Sequence, residues 1–264
     1  MTSVLAGCAL VASGCGNGSS AQGEEPTETP SVSVPFVTSQ PGPTHTAPNP
    51  VPKPGADCLE PSDHARRVRF GPKDALGGYV LGSGHRYVVL SHQSGGDSCQ
   101  MLPLARRLSH AGFRVVAFDF NGTMSSRMLS VGDTSHTLAD DLLAAVRYAR
   151  HHGARSLALV GCSMGGFVTL DAATRLHRPA DAVISLSAPS SWDDPAWKPR
   201  ELRALGSTVQ LYAGRKDVTF TTAARKLAKA APNAELHIVK GAGHGVELVP
   251  ALFPRLVRFL DSGT

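Results

Sequence analysis

Ser163 stands in Gly161-Cys162-Ser163-Met164-Gly165-Gly166, after a short apolar run at 157–160 and before a segment able to form a helix. A strand, a sharp turn and a helix in that order hold a serine hydroxyl out over a sheet edge. Small residues two before and two after the serine let strand and helix approach closely. Such a hydroxyl is a weak nucleophile at neutral pH, so it needs a base within hydrogen-bond reach and a third group to orient that base. Two later loops supply both types. Asp217 lies in Gly214-Arg215-Lys216-Asp217 and His244 in Gly241-Ala242-Gly243-His244-Gly245, each shortly after an apolar run. Taken singly, Asp217 reads equally well as a turn aspartate and His244 as a loop histidine between flexible glycines. Taken together they are the parts of an acyl-transfer site. Asp193 and Asp194 are competing acids after an earlier strand, and Asp119 is expected to bind loop backbone.

The elements that must position these residues follow from the hydrophobic pattern. Strands are expected at 66–70, 79–82, 86–91, 113–120, 157–160, 182–186, 208–213 and 235–239, with Gly77-Gly78 read as a break before the second. Helices are expected at 99–111, capped by Asp97 or Ser98, at 137–151, from the serine turn to about 177, at 221–231 and at 249–260. Strands alternating with helices at this spacing imply an α/β fold with a mainly parallel sheet covered on both faces. Ligands of such sheets bind at the carboxyl ends of the strands, where the loops carrying Ser163, Asp217 and His244 gather.

With its serine elbow and its Ser, Asp, His order, the region from about residue 65 to 264 resembles an α/β-hydrolase-fold serine hydrolase of the esterase or lipase kind. The resemblance implies an eight-stranded, mainly parallel sheet with helices on both faces. It implies Ser163 as nucleophile, His244 as general base and then acid, and Asp217 as the carboxylate that fixes the imidazole tautomer. An oxyanion hole needs two backbone N–H groups. Met164, following the nucleophile, supplies one at a helix N-terminus. The second belongs to the loop after the 86–91 strand, where His92-Gln93 replaces the usual His-Gly; Ser94 is favoured and Gln93 is the alternative. His92 is expected to be structural, with His92, Gln93 and Trp192 as candidate walls of the substrate pocket.

Only residues 188–207 are available for an excursion over the site, so the cap is minimal. Trp192 and Trp197 lie within it and either wall the acyl pocket or pack the loop onto the domain. A small cap favours an open cleft and short or medium acyl esters. The alternatives are a lipase or polyester hydrolase acting on aggregated substrate, and a non-catalytic envelope module that keeps the fold as a binding surface.

At 264 residues and a formal net charge of +5 the chain suits one large domain, expected at 57–264. Residues 16–56 are rich in Pro, Ser, Thr, Gly and Glu and read as a disordered tether. Ahead of it, residues 4–12 are apolar and end in Ala12-Ser13-Gly14-Cys15, which resembles the lipobox of bacterial lipoproteins. Residues 1–15 are therefore read as an export signal with Cys15, or alternatively Cys8, as the lipidation site. The expected location is extracytoplasmic, on the cell membrane through a lipid anchor, or secreted. Of the remaining cysteines, Cys162 is expected to be buried, while Cys58 and Cys99 either form a disulfide or remain two thiols. All Lys and Arg except Lys53 fall in the domain, a solvated basic face without the interleaved aromatics of a nucleic-acid site. The sequence has neither zinc-type Cys/His spacing nor a phosphate-binding glycine loop, so the expected chemistry requires no metal or cofactor. The expected partner is a small-molecule ester, and the expected state a monomer.

Overall fold

The computed structural model describes residues 58–129, 136–192, 198–241 and 243–263. The signal segment, the tether, Cys8, Cys15, Asp193, Asp194 and Trp197 lie outside the described residues. Eight strands form one sheet: β1 (Arg66–Phe70), β2 (Leu76–Leu81), β3 (Arg86–Ser91), β4 (Arg114–Phe118), β5 (Ser156–Cys162), β6 (Ala182–Leu186), β7 (Thr208–Gly214) and β8 (Ala234–Val239). Their order is β1-β2-β4-β3-β5-β6-β7-β8. The pairs β1/β2 and β2/β4 are antiparallel, and every pair from β4 to β8 is parallel.

Among the described residues five α-helices cover the sheet: α1 (Leu102–His110), α2 (Leu138–His151), α3 (Met164–Thr174), α4 (Val218–Ala230) and α5 (Val249–Gly263). The alternation of side chains along β3 shows how they are divided. Tyr87 and Val89 enter a core with α2, α3 and α4, whereas Val88 and Leu90 enter a second core with α1 and α5. Both faces are buried, which is why the central strands read as continuous apolar runs. Helix α3 is buried from Met164 to Ala173, so it lacks the polar stripe of a surface helix.

The boundaries depart from expectation at two informative places. Gly77 and Gly78 lie inside β2 and do not break it. A Cβ at Gly77 would stand 2.4 Å from Ser125 Oγ, and one at Gly78 would stand 2.3 Å from the Ala117 carbonyl oxygen. These glycines admit neighbouring backbone and do not end the strand. Helix α4 starts at Val218, immediately after Asp217, and not at residue 221.

Cys58 and Cys99 are joined by a disulfide. Beside it Arg106 grips Asp63 through two hydrogen bonds of 2.5 and 2.9 Å, and this guanidinium holds the Asp63 carboxyl below the usual carboxylate range. The start of the domain is thereby tied to the segment entering α1, where Asp97 Oδ1 accepts the Cys99 N–H at 2.8 Å as a cap. Between β6 and β7 the described residues form one short 3-10 helix, Pro199–Ala204. No helix among the described residues is long and apolar enough to cross a membrane.

Candidate active site

Ser163 occupies the turn between β5 and α3 with φ 52° and ψ −119°, a conformation that costs a non-glycine residue about 1–3 kcal/mol. The surroundings enforce it. The Ser163 N–H donates to the Leu186 carbonyl at 2.7 Å, and its carbonyl accepts the Phe167 N–H at 3.0 Å. A Cβ at Gly161 would stand 2.1 Å from the Gly165 carbonyl oxygen, and one at Gly165 would stand 2.4 Å from the carbonyl oxygens of both Ser91 and His92. The two outer glycines of the motif therefore let α3 lie against the ends of β5 and β3. The neighbouring Cys162 is fully buried, which pushes its thiol up to about 12 and leaves no thiolate to compete as a nucleophile.

Asp217 sits at the position from which an aspartate ordinarily caps a helix, yet its carboxylate makes no capping hydrogen bond to α4. Instead its Oδ2 lies 2.6 Å from Nδ1 of His244. A carboxylate only accepts, so this contact places a proton on Nδ1, and the neutral ring is then the tautomer with its lone pair on Nε2, which a general base requires. Both side chains remain partly accessible, at 32% for His244 and 15% for Asp217. The Phe220 ring packs 4.2 Å from the imidazole and limits its rotation. Because β7 and β8 are parallel neighbours, the loops that follow them emerge together, at the same sheet end as the serine turn after β5.

The elbow and the histidine loop meet through two adjacent residues at the end of β6. Leu186 receives the Ser163 N–H, and the hydroxyl of Ser187 receives the Gly245 N–H at 3.0 Å. Ser187 is fully buried with φ 51°, a strained position that the sequence reading missed. A small hydroxyl residue directly after an apolar strand was the available signal. Glu247 was also missed; its Oε2 accepts the His244 N–H at 3.1 Å.

In the loop after β3 the Gln93 N–H donates to Gln100 Oε1 at 3.1 Å, whereas no partner of the Ser94 N–H is found among the described residues. The Met164 N–H, at the first position of α3, is in the same condition. Asp119 is fully buried and binds loop backbone, accepting the N–H groups of Ser98 at 2.7 Å and Ser125 at 3.0 Å.

His92, a candidate pocket wall, is enclosed in the fold. It is 1% exposed, its Nε2 accepts the Phe120 N–H at 3.2 Å, and its Nδ1 lies 2.7 Å from the Gln93 carbonyl oxygen. One nitrogen accepts and the other donates, so the ring is neutral, and burial holds its pKa below the ordinary histidine value. In the unfolded chain the ring takes a proton near pH 6.5. The stability that rests on the neutral ring is thus complete above that pH and declines as pH falls below it toward the depressed native value. Urea unfolding at about pH 7 and about pH 5 checks this: the His92→Asn variant is expected to lose less stability between the two than the parent. Equal losses would contradict it.

Trp192, 38% exposed, lies on the loop after β6. The other large apolar side chains exposed among the described residues are Met124 (65%) and Met128 (63%) after β4 and Val218 (72%) after β7. All four stand on segments that follow strands of the parallel part of the sheet, at the end where Ser163, Asp217 and His244 lie.

Strand order, elbow and the paired acid and base together define an α/β-hydrolase. The chain belongs to the family described as serine aminopeptidase, S33, which it matches over residues 82–240. Solved structures agree in fold. An esterase of Pyrococcus furiosus is 19% identical, with 80% of this chain and 97% of that one covered at a TM-score of 0.65. A carboxylesterase of the thaumarchaeon Nitrososphaera gargenis is 19% identical, with 75% and 98% covered at 0.61. Est1E of Butyrivibrio proteoclasticus, solved with ferulic acid bound, is 18% identical, with 70% and 96% covered at 0.60. At these identities the likeness speaks for the fold. No curated protein matches the chain.

Proposed function

We propose that this protein is a serine carboxylesterase acting on short or medium acyl esters. The observation that carries the reading is Asp217, whose carboxylate leaves a helix-capping position unused to bind His244 Nδ1, at the same end of the sheet as a serine held in a strained elbow. Ser163 Oγ attacks the ester carbonyl carbon while His244 Nε2 takes its proton. The negative oxygen of the tetrahedral adduct is received by the N–H groups of Met164 and Ser94. The adduct collapses, the C–O bond to the alcohol breaks, and the alcohol leaves with the proton held by His244. A water molecule then repeats the sequence on the acyl-enzyme and releases the acid.

The test is hydrolysis of p-nitrophenyl esters of increasing acyl length, with a peptide p-nitroanilide as comparison because the family is described for a peptidase. Serine-dependent ester turnover with a fall-off at longer chains supports the reading. Peptide turnover alone would make the protein a peptidase, and turnover of neither would leave the envelope binding module.

A second reading, an esterase for aggregated substrate such as lipid or polyester, is favoured by the exposed Met124, Met128, Trp192 and Val218 around the site end of the sheet. Its mark is a rate that jumps once the ester forms an interface.

The same proposal places the protein outside the cytoplasm, anchored by a lipid on Cys15 through residues 16–56 and acting as a monomer. In a bacterial host, metabolic labelling with a fatty-acid analogue is expected to tag the full-length chain and to fail for Cys15→Ser. Equal labelling of the variant would move the anchor to Cys8, and no labelling of either chain would remove it.

A further inference from the structure

The loop carrying His244 is held by three successive backbone N–H groups, each received by a side chain. His244 donates to Glu247 Oε2 at 3.1 Å, Gly245 to Ser187 Oγ at 3.0 Å, and Val246 to Gln93 Oε1 at 2.9 Å. Glu247 is local to the loop. Ser187 comes from the end of β6, and Gln93 comes from the loop after β3, 153 residues away in the chain. Gln93 is itself fixed before its side chain reaches across. Its N–H is received by Gln100 Oε1, and its carbonyl oxygen lies 2.7 Å from the His92 ring and accepts the Gly96 N–H at 3.2 Å.

The fit between the two loops is close. A Cβ on Gly245 would stand 1.7 Å from Gln93 Oε1, and one on Gly243 would stand 1.8 Å from Glu247 Oε2. The glycines on either side of the histidine are therefore clearances for the two side chains that hold it.

We propose that Gln93 is a positioning residue of the hydrolase: it locks the loop that presents the Ser94 amide to the loop that presents the His244 ring. The proposal rests on the reading of Ser163, Asp217 and His244 as a triad. Where the related pattern places a glycine, this chain has a side chain long enough to reach Val246. This bond ties the loop of the base directly to the loop that carries Ser94. Gln93 binds backbone through this acceptor, so its removal acts on the geometry of the reacting groups more than on substrate affinity. A misplacement of about 1 Å in such a site costs about 100-fold in rate.

The test compares the full chain with Gln93→Ala, which removes the acceptor, and Gln93→Glu, which keeps an acceptor and adds a charge near the imidazole. On a p-nitrophenyl ester, Gln93→Ala is expected to lower kcat by about 30- to 100-fold with KM changed less than about twofold. Gln93→Glu is expected to recover most of kcat at alkaline pH, with the acid limb of the kcat/KM profile moved to higher pH because a carboxylate favours the imidazolium. In parallel, proton NMR follows the His244 Nδ1–H resonance, which is expected to broaden through faster exchange in Gln93→Ala and to return in Gln93→Glu. Unchanged kcat in Gln93→Ala, or a loss matched by the loss of folded protein, would overturn the proposal. If the parent chain shows no Ser163-dependent turnover, the esterase reading fails and the resonance alone decides: an identical signal in parent and Gln93→Ala overturns the positioning role, and its selective loss supports it.

Discussion

Ser163→Ala is expected to fold as the parent does and to lose about 10⁴-fold or more in kcat/KM on an activated ester. The two halves of this expectation come from different atoms of the residue. The fold uses the main chain of Ser163, whose N–H and carbonyl bond to Leu186 and Phe167, and alanine keeps both. It makes no use of the hydroxyl as a helix cap, since Ser163 precedes α3 without a side-chain capping bond. The unfavourable φ of 52° is common to both residues, so the substitution neither relieves nor adds backbone strain. Ser163 is buried, but no hydrogen bond of its hydroxyl is found among the described residues, so removing the hydroxyl leaves no partner unsatisfied and is expected to change stability little. Its chemical task has no substitute: Cys162 is buried with its thiol raised, and without Ser163 Oγ there is no atom on which the acyl group can rest. Thermal unfolding and ester kinetics on the same preparation check both halves. Retained turnover in a clean variant would contradict the assignment.

Asp217→Asn is expected to cost about 10⁴-fold in kcat/KM, close to the loss in Ser163→Ala. Asparagine has the same shape and still suits a position preceding a helix, so α4 and the fold should persist. The change falls on the 2.6 Å contact with His244 Nδ1. An amide brings no negative charge to stabilise the imidazolium, and its NH₂ group favours the tautomer in which Nδ1 accepts and Nε2 carries the proton. That ring cannot take a proton from Ser163. Kinetics of Asp217→Asn beside Asp193→Asn and Asp194→Asn measure the effect. A small loss in the first with a large loss in either of the others would move the acid to the loop after β6.

What could be read from residues alone was what neighbouring residues encode together. The central strands were legible because burial on both faces gives unbroken apolar runs, and the register from β3 to β7 follows those runs closely. Ser163, Asp217 and His244 stood out as candidates because each sits beside a strand end with its own small-residue signature, and the structure pairs Asp217 with His244. The supports of His244 were not, because Ser187 and Gln93 act across 58 and 153 residues and no local pattern links them to it. Gly77 and Gly78 were misread for the same reason. A glycine that ends a strand and one that admits a neighbour's backbone look alike until the neighbour is known. His92, read as structural and as a candidate pocket wall, is buried with both ring nitrogens engaged inside the fold.

The central claim, that Ser163 is the nucleophile, is tested most directly by mass spectrometry of the intact chain and its peptides after exposure to a fluorophosphonate, which loses fluoride as its phosphorus bonds to the attacking oxygen. The predicted result is one adduct per chain, on the peptide containing Ser163, absent from Ser163→Ala and slowed strongly in Asp217→Asn. An adduct on another residue, or none in a protein shown to be folded, would contradict the account.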